Sequence, residues 1–273
     1  MSYALPIHSL IPGHTPGRGA TANPANRFEP IELLADGETL DHDLRADRSP
    51  ARVRTQVFRD VSRTIIAYND SPDLGFNASI NPYRGCEHGC SYCYARPYHE
   101  YLGLSAGLDF ETKIFAKLDA AGLLRGELRK KGWQPQTLAM CGVTDAYQPV
   151  ERQLKLARGC LEVLAEFRNP VGIVTKNHLV TRDIDLLKSL AAQQAVSVYV
   201  SVTSLNTEIA MKMEPRASSP ARRLDAIAQL RDAGVPVGVL VSPVVPGLTD
   251  EEVPSIVASA AAAGAGWAGL IPL

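Results

Sequence analysis

The feature that most constrains this chain is an alternation that begins at Asn77, where short apolar runs are separated by longer helix-patterned stretches. The runs are ASINPYRG (78–85), TLAMCGV (137–143), VGIVTK (171–176), VSVYVSV (196–202), VPVGVLVSP (235–243) and AGLIPL (268–273). Strands alternating with helices predict a parallel sheet joined by right-handed crossovers. Six strands are too few to close an eight-stranded barrel. The expected fold is therefore α/β, a partial (βα)6 barrel with parallel strands, its chemistry at the C-terminal strand ends. The helices carry their own punctuation. Ser219 precedes Pro220, Leu224, Ile227 and Leu230 share one face, and Gly234 ends the pattern. Thr249 followed by Asp250, Glu251 and Glu252 marks a further helix start.

Residues 1–70 read differently. They are rich in Pro, Gly, Asn and Asp, and their one regular patch is ARVRTQVFRDVSR (51–63). The expectation is an irregular, partly basic N-terminal arm (1–70) with one short helix or strand, beside a core domain over 71–273. Arg45, Arg48, Arg52, Arg54, Arg59 and Arg63 make the arm locally basic, which reads first as a solvated face. With 28 Lys plus Arg against 29 Asp plus Glu, the net charge of −1 excludes a strongly basic, non-specific nucleic-acid binder and leaves room for a local basic groove. No stretch approaches the roughly 20 apolar residues of a transmembrane helix, and MSYALPIHSLIPGHTPGRGA has no signal-peptide pattern. No membrane partner and a cytoplasmic location are expected.

Five cysteines without a secretory signal argue against a disulfide framework, and three of them fall inside eight residues. In NPYRGCEHGCSYCYARPY, Cys86, Cys90 and Cys93 are spaced C-x3-C-x2-C in a loop that also holds Gly85 and Gly89. Glycines let a loop fold tightly round a bulky object, and three soft thiolates favour a metal. A structural zinc site takes four ligands, usually in two separated pairs. No second pair exists here, though His88, His99, Cys141 and Cys160 are available to complete a set. A cubic iron–sulfur cluster on three cysteines leaves one iron open to an outside ligand, which is a reactive arrangement.

This spacing, Tyr92 before the last cysteine and the β/α alternation resemble the radical S-adenosylmethionine (SAM) superfamily. Over about residues 77–273 the chain looks closest to the spore photoproduct lyase branch. The resemblance is carried by CEHGCSYCYA, VTDAYQPVE, IVTKN, and SVTSLNTEIAMKMEPRASSPARRLDAI leading into VPVGVLVSPVVPG. It implies a 4Fe–4S cluster and SAM as cofactors, with the methionine amino and carboxylate groups on the open iron. It implies reductive cleavage of SAM to a 5′-deoxyadenosyl radical that abstracts hydrogen from substrate, and an electron donor such as a flavodoxin or ferredoxin. By resemblance Cys86, Cys90 and Cys93 are the cluster ligands, Tyr92 packs at the adenine, and Thr144 and Asp145 contact the methionine part. Lys176 matches a lysine that pairs with the carboxylate, and Ser201 and Thr203 resemble polar contacts to ribose or methionine. Their alternative readings are a structural Lys176–Asp145 ion pair and ordinary strand residues. Arg216 reaches an anion or faces solvent.

The chain also departs from the lyase pattern. The lyase uses a cysteine three residues before the matching Asp as hydrogen donor, whereas Cys141 lies four before Asp145. One residue turns a strand side chain to the opposite face, so Cys141 reads as a core thiol and is only a weak hydrogen-donor candidate. Cys160, among Leu156, Val163 and Phe167, reads as core, and His88 as exposed. The chain stops at the sixth strand, without the C-terminal segment that lyases carry. The leading expectation is a radical SAM enzyme of unknown substrate. Nucleic acid is suggested by resemblance, with weak support from the arm and RGELRKK (125–131). The competing readings are a non-catalytic zinc- or iron–sulfur-binding module and a radical enzyme acting on a peptide or small molecule.

Overall fold

The computed structural model describes residues 17–28, 53–71, 75–140 and 142–273. The strands are β1 (Gln56–Arg59), β2 (Ile66–Tyr68), β3 (Ala78–Ile80), β4 (Tyr83–Arg84), β5 (Lys113–Ala116), β6 (Leu138–Met140), β7 (Val171–Thr175), β8 (Val196–Ser201), β9 (Val237–Val244) and β10 (Ala268–Pro272). The helices are α1 (Leu108–Thr112), α2 (Ala120–Leu128), α3 (Glu151–Leu154), α4 (Leu156–Phe167), α5 (Ile184–Ala191), α6 (Thr207–Met213), α7 (Pro220–Asp232) and α8 (Val253–Ala263).

The larger sheet runs β10-β9-β8-β7-β6-β3-β2. Its six strands from β3 to β10 are mutually parallel and stand in chain order, and β2 is antiparallel to β3. It is an open sheet with edges at β10 and β2, as the strand count requires. Each of the six predicted runs contributes one of these parallel strands. The first run is shorter than expected. Pro82 cannot donate to a ladder, so β3 ends at Ile80 and Tyr83–Arg84 joins a second sheet of order β1-β5-β4. Two strands of the predicted arm pair with these sheets: β1 runs parallel to β5, and β2 covers the edge of β3. Arg54, Arg59 and Arg63 are exposed, while Arg45, Arg48 and Arg52 lie outside the described residues.

One face of the large sheet makes the core. Val171, Ile173, Val198 and Val200 pack under Leu161 and Leu164 of α4, Leu187 and Leu190 of α5, and Ile227 and Leu230 of α7. Each such side chain contributes roughly 1.5–3 kcal/mol on burial. Along β7 and β8 the alternate residues Gly172, Val174, Ser197 and Tyr199 are only half-buried, and Lys176 and Ser201 continue that face. Helix punctuation held in position more than in bonding. Ser219 caps α7 and Gly234 follows it at φ +76°, but the Ser219 hydroxyl makes no capping bond. Among the described residues no helix is long and apolar enough to cross a membrane.

Candidate active site

The loops that follow β3, β6, β7 and β8 all leave the same edge of the sheet, because the strands are parallel and in register. The cysteine loop follows β4. Gly85 and Gly89 adopt φ of +79° and +65°, where a side chain is strained. A Cβ on Gly85 would stand 2.9 Å from the Phe110 carbonyl oxygen, and one on Gly89 would stand 2.6 Å from Glu111 Oε2. The loop is tied down on every side. Cys86 N donates to Phe110 O at 2.9 Å. Gln148 accepts from Glu87 N at 2.9 Å and donates to Gly85 O at 3.1 Å. Arg96 donates to Cys90 O at 2.8 Å and to the buried Glu111 carboxylate at 2.5 Å. Glu111 also accepts from Gly19 N and Ala20 N of the N-terminal segment, at 3.0 and 2.8 Å.

Cys86, Cys90 and Cys93 are free thiols, the first two buried and the third half-buried. Burial raises all three above the usual thiol range, Cys90 to about 12. Burial thus disfavours their thiolate forms, which a bound metal would favour. Among the described residues no three His, Cys, Asp or Glu side chains surround the position of one metal ion. A cubic cluster makes a different demand, since each cysteine binds a separate iron. Three soft donors, two buried and one half-buried, in one tightly anchored loop fit such a cluster.

Four of the predicted residues converge. Lys176 Nζ donates to Ser201 Oγ at 2.6 Å and to Ser242 O at 3.0 Å, and stands 3.2 Å from Glu214 Oε1. Tyr92 donates its hydroxyl to the same Glu214 oxygen, and Lys176 Nζ lies 5.6 Å from the Tyr92 ring centre. Thr203 Oγ1 is 2.7 Å from Glu214 and 3.0 Å from Ser242 O. The other Glu214 oxygen takes the buried guanidinium of Arg223. Burial pushes the Glu214 carboxyl up, but Lys176 and Arg223 outweigh it and hold the group well below the usual carboxylate range.

Asp145 and Thr144 stand apart from this group. Asp145 accepts from Thr175 Oγ1 at 2.8 Å, Lys176 N at 2.8 Å and Tyr147 N at 2.8 Å. Its bond to Lys176 is therefore through the backbone, and the ammonium pairs with Glu214 instead. His88 is buried, not exposed as the sequence suggested, with Nδ1 3.3 Å from Asp145 and Nε2 3.2 Å from Asn177 Nδ2. The backbone turns it inward because Gly89 reverses the chain there. Thr144 bonds Tyr83 O at 3.3 Å. Arg216 does meet an anion, the protein's own Glu87 at 2.9 Å. Cys160 is fully buried in the core, as expected, and Cys141 lies outside the described residues. Glu214, Arg223 and Gln148 were not singled out from sequence. Glu214 lay two residues from Arg216 in the same quoted stretch, and an acid followed by proline carries no signal of burial.

Comparison with known proteins gives the family. The Radical SAM superfamily model matches residues 80–260. An uncharacterized protein of Mycobacterium tuberculosis is 41% identical over 194 residues, covering 70% of this chain and 57% of that protein. The chain thus spans little more than half the length of that relative. The Radical SAM Nalpha-GlyT isomerase of Pseudomonas phage M6 is 27% identical over 173 residues, covering 63% of this chain and 34% of the isomerase. Spore photoproduct lyase, solved as a mutant with bound AdoMet and dinucleoside spore photoproduct, shares the fold with a TM-score of 0.51 at 18% identity, over 69% of this chain and 51% of the lyase. On the family match, which covers most of its length, this chain belongs to the radical SAM superfamily.

Proposed function

We propose that this radical SAM enzyme holds a 4Fe–4S cluster on Cys86, Cys90 and Cys93 and cleaves SAM reductively. The observation that carries the proposal is that Tyr92, inside the loop of the three free cysteines, bonds Glu214, which also gathers Lys176 and Thr203, with Ser201 on Lys176. When bound, the reduced cluster and SAM supply a 5′-deoxyadenosyl radical that takes a hydrogen atom from substrate. The chain's own part is to bind, orient and exclude water. Lys176 offers a cation for a carboxylate, with Tyr92, Ser201 and Thr203 as neighbouring polar contacts for SAM. Thr144 and Asp145 contribute from the end of β6. Asp145, whose oxygens already accept three internal donors, acts as a positioning residue by fixing His88 and the Lys176 amide. Nucleic acid is the substrate class to assay first, since the lyase with this fold was solved with a dinucleoside photoproduct. A flavodoxin- or ferredoxin-type protein is the proposed electron donor.

The test is anaerobic reconstitution with iron and sulfide, then dithionite and SAM, with 5′-deoxyadenosine read by mass spectrometry. Wild type and Cys160→Ala should both produce it, and Cys90→Ala should lose both iron and product. Equal loss in Cys90→Ala and Cys160→Ala overturns the ligand assignment.

A further inference from the structure

A cavity of about 260 Å³ lies between α3, the 3₁₀ turn at His178–Asp183 and the start of α7. Its wall contains three guanidinium groups, Arg152, Arg182 and Arg222, and no carboxylate. The acids nearby are each paired with residues of its lining. Glu151 and Asp183 take Arg182, and Asp225 takes His178 Nε2 at 2.8 Å and Arg222 at 3.3 Å. The lining hydroxyls are also spent, Ser218 on Asn177 at 3.2 Å and Thr181 on His178 O at 3.0 Å. Arg152 differs from all of these. Its exposed side chain lines the cavity and, among the described residues, makes no hydrogen bond or ion pair, so its charge at the cavity rim has no counter-ion within the protein.

We infer that this cavity binds a phosphate group, with Arg152 as its principal ligand and Arg222 and the remaining Arg182 donor in support. Guanidinium groups match phosphate oxygens as paired donors. The volume falls below the roughly 300–1,000 Å³ of sites that enclose whole drug-sized ligands. It suits a phosphoryl group whose remainder lies outside. Asn177 is a shared wall, since it lines the cavity and also meets His88, which pairs with Asp145. A phosphate held here stands one side chain away from the candidate active site. The inference goes beyond the radical reading and needs neither iron nor SAM.

The test is calorimetric titration of the full chain with inorganic phosphate, repeated with dimethyl phosphate. Wild type should bind phosphate saturably, Arg152→Gln and Arg222→Gln should each weaken it roughly tenfold or more, and Lys212→Gln, on an exposed helix turn, should leave it unchanged. Retained binding of dimethyl phosphate assigns the site to a phosphodiester, as in a nucleic-acid backbone, and its loss assigns a terminal phosphate; both support the site. No saturation by about 10 mM phosphate, equal affinity in Arg152→Gln, or equal displacement by chloride at the same concentration overturns it.

Discussion

Glu214→Gln is the most informative single perturbation, because one side chain joins the cysteine loop to β8 and α7. Its carboxylate meets Tyr92, Thr203, Lys176 and Arg223, and its side chain and that of Arg223 are 0% and 1% exposed. Glutamine preserves the volume, so no cavity forms and the whole effect is electrostatic. Removing one member of a buried pair strands the other charge, which costs about 3–5 kcal/mol. Arg223 keeps bonds to Ser218 O and Ser201 O, but neither supplies a counter-charge. With a urea slope of roughly 3 kcal/mol/M, the midpoint should fall by about 1–1.7 M at unchanged slope. Glu208→Gln provides the contrast, since its pair with Lys212 is 72% exposed on both sides and its loss should leave the midpoint essentially unchanged. In an Arg223→Met background Glu214→Gln should cost at least about 1 kcal/mol less. The native carboxyl lies below its unfolded value, so its contribution is present at neutral pH and lost as pH falls from about 4.5 through the folded value. A midpoint shift under about 0.3 M, or an equal cost with and without Arg223, refutes the reasoning.

Other outcomes follow from the same geometry. Lys176→Met should retain iron after reconstitution yet lose most 5′-deoxyadenosine, read by mass spectrometry beside iron content, because its ammonium is the cation of the polar cluster that also holds Tyr92 and Ser201. His99 is buried and held neutral, its value lowered by burial from 6.5 to about 4, with Nε2 bonded to Lys113 O at 3.1 Å. The unfolded chain takes up that proton first, so stability should fall by about 3 kcal/mol between pH 6.5 and 4. The difference between wild type and His99→Gln in urea unfolding across that window should show it. Gly19→Ala would put a Cβ 1.7 Å from Gly89 O, and should lower stability by about 1–3 kcal/mol and expose residues 17–28 to protease.

The parallel sheet was legible because its signal is periodic and local. Runs such as VSVYVSV and VGIVTK have the length and β-branching of buried strands, and their alternation with helices fixes order and direction. The cysteine loop was legible for a different reason, since soft ligands at short spacing leave few chemical alternatives. What escaped were residues whose role is set by distant partners. β1 and β2 are short, largely exposed strands that exist because β5 and β3 offer them edges. His88 read as exposed because a histidine between Glu87 and Gly89 carries no mark of the Asp145 carboxylate, 57 residues away in the chain, that buries it. Lys176 was given two possible anions, and the one it meets inside the protein is neither. Glu214 collects it from 38 residues downstream, together with an arginine and a tyrosine from two further segments. A buried carboxylate of this kind is stable only once all four partners surround it. Its presence is thus a property of the assembled fold, and this is why substituting it tests the site and the fold in one experiment.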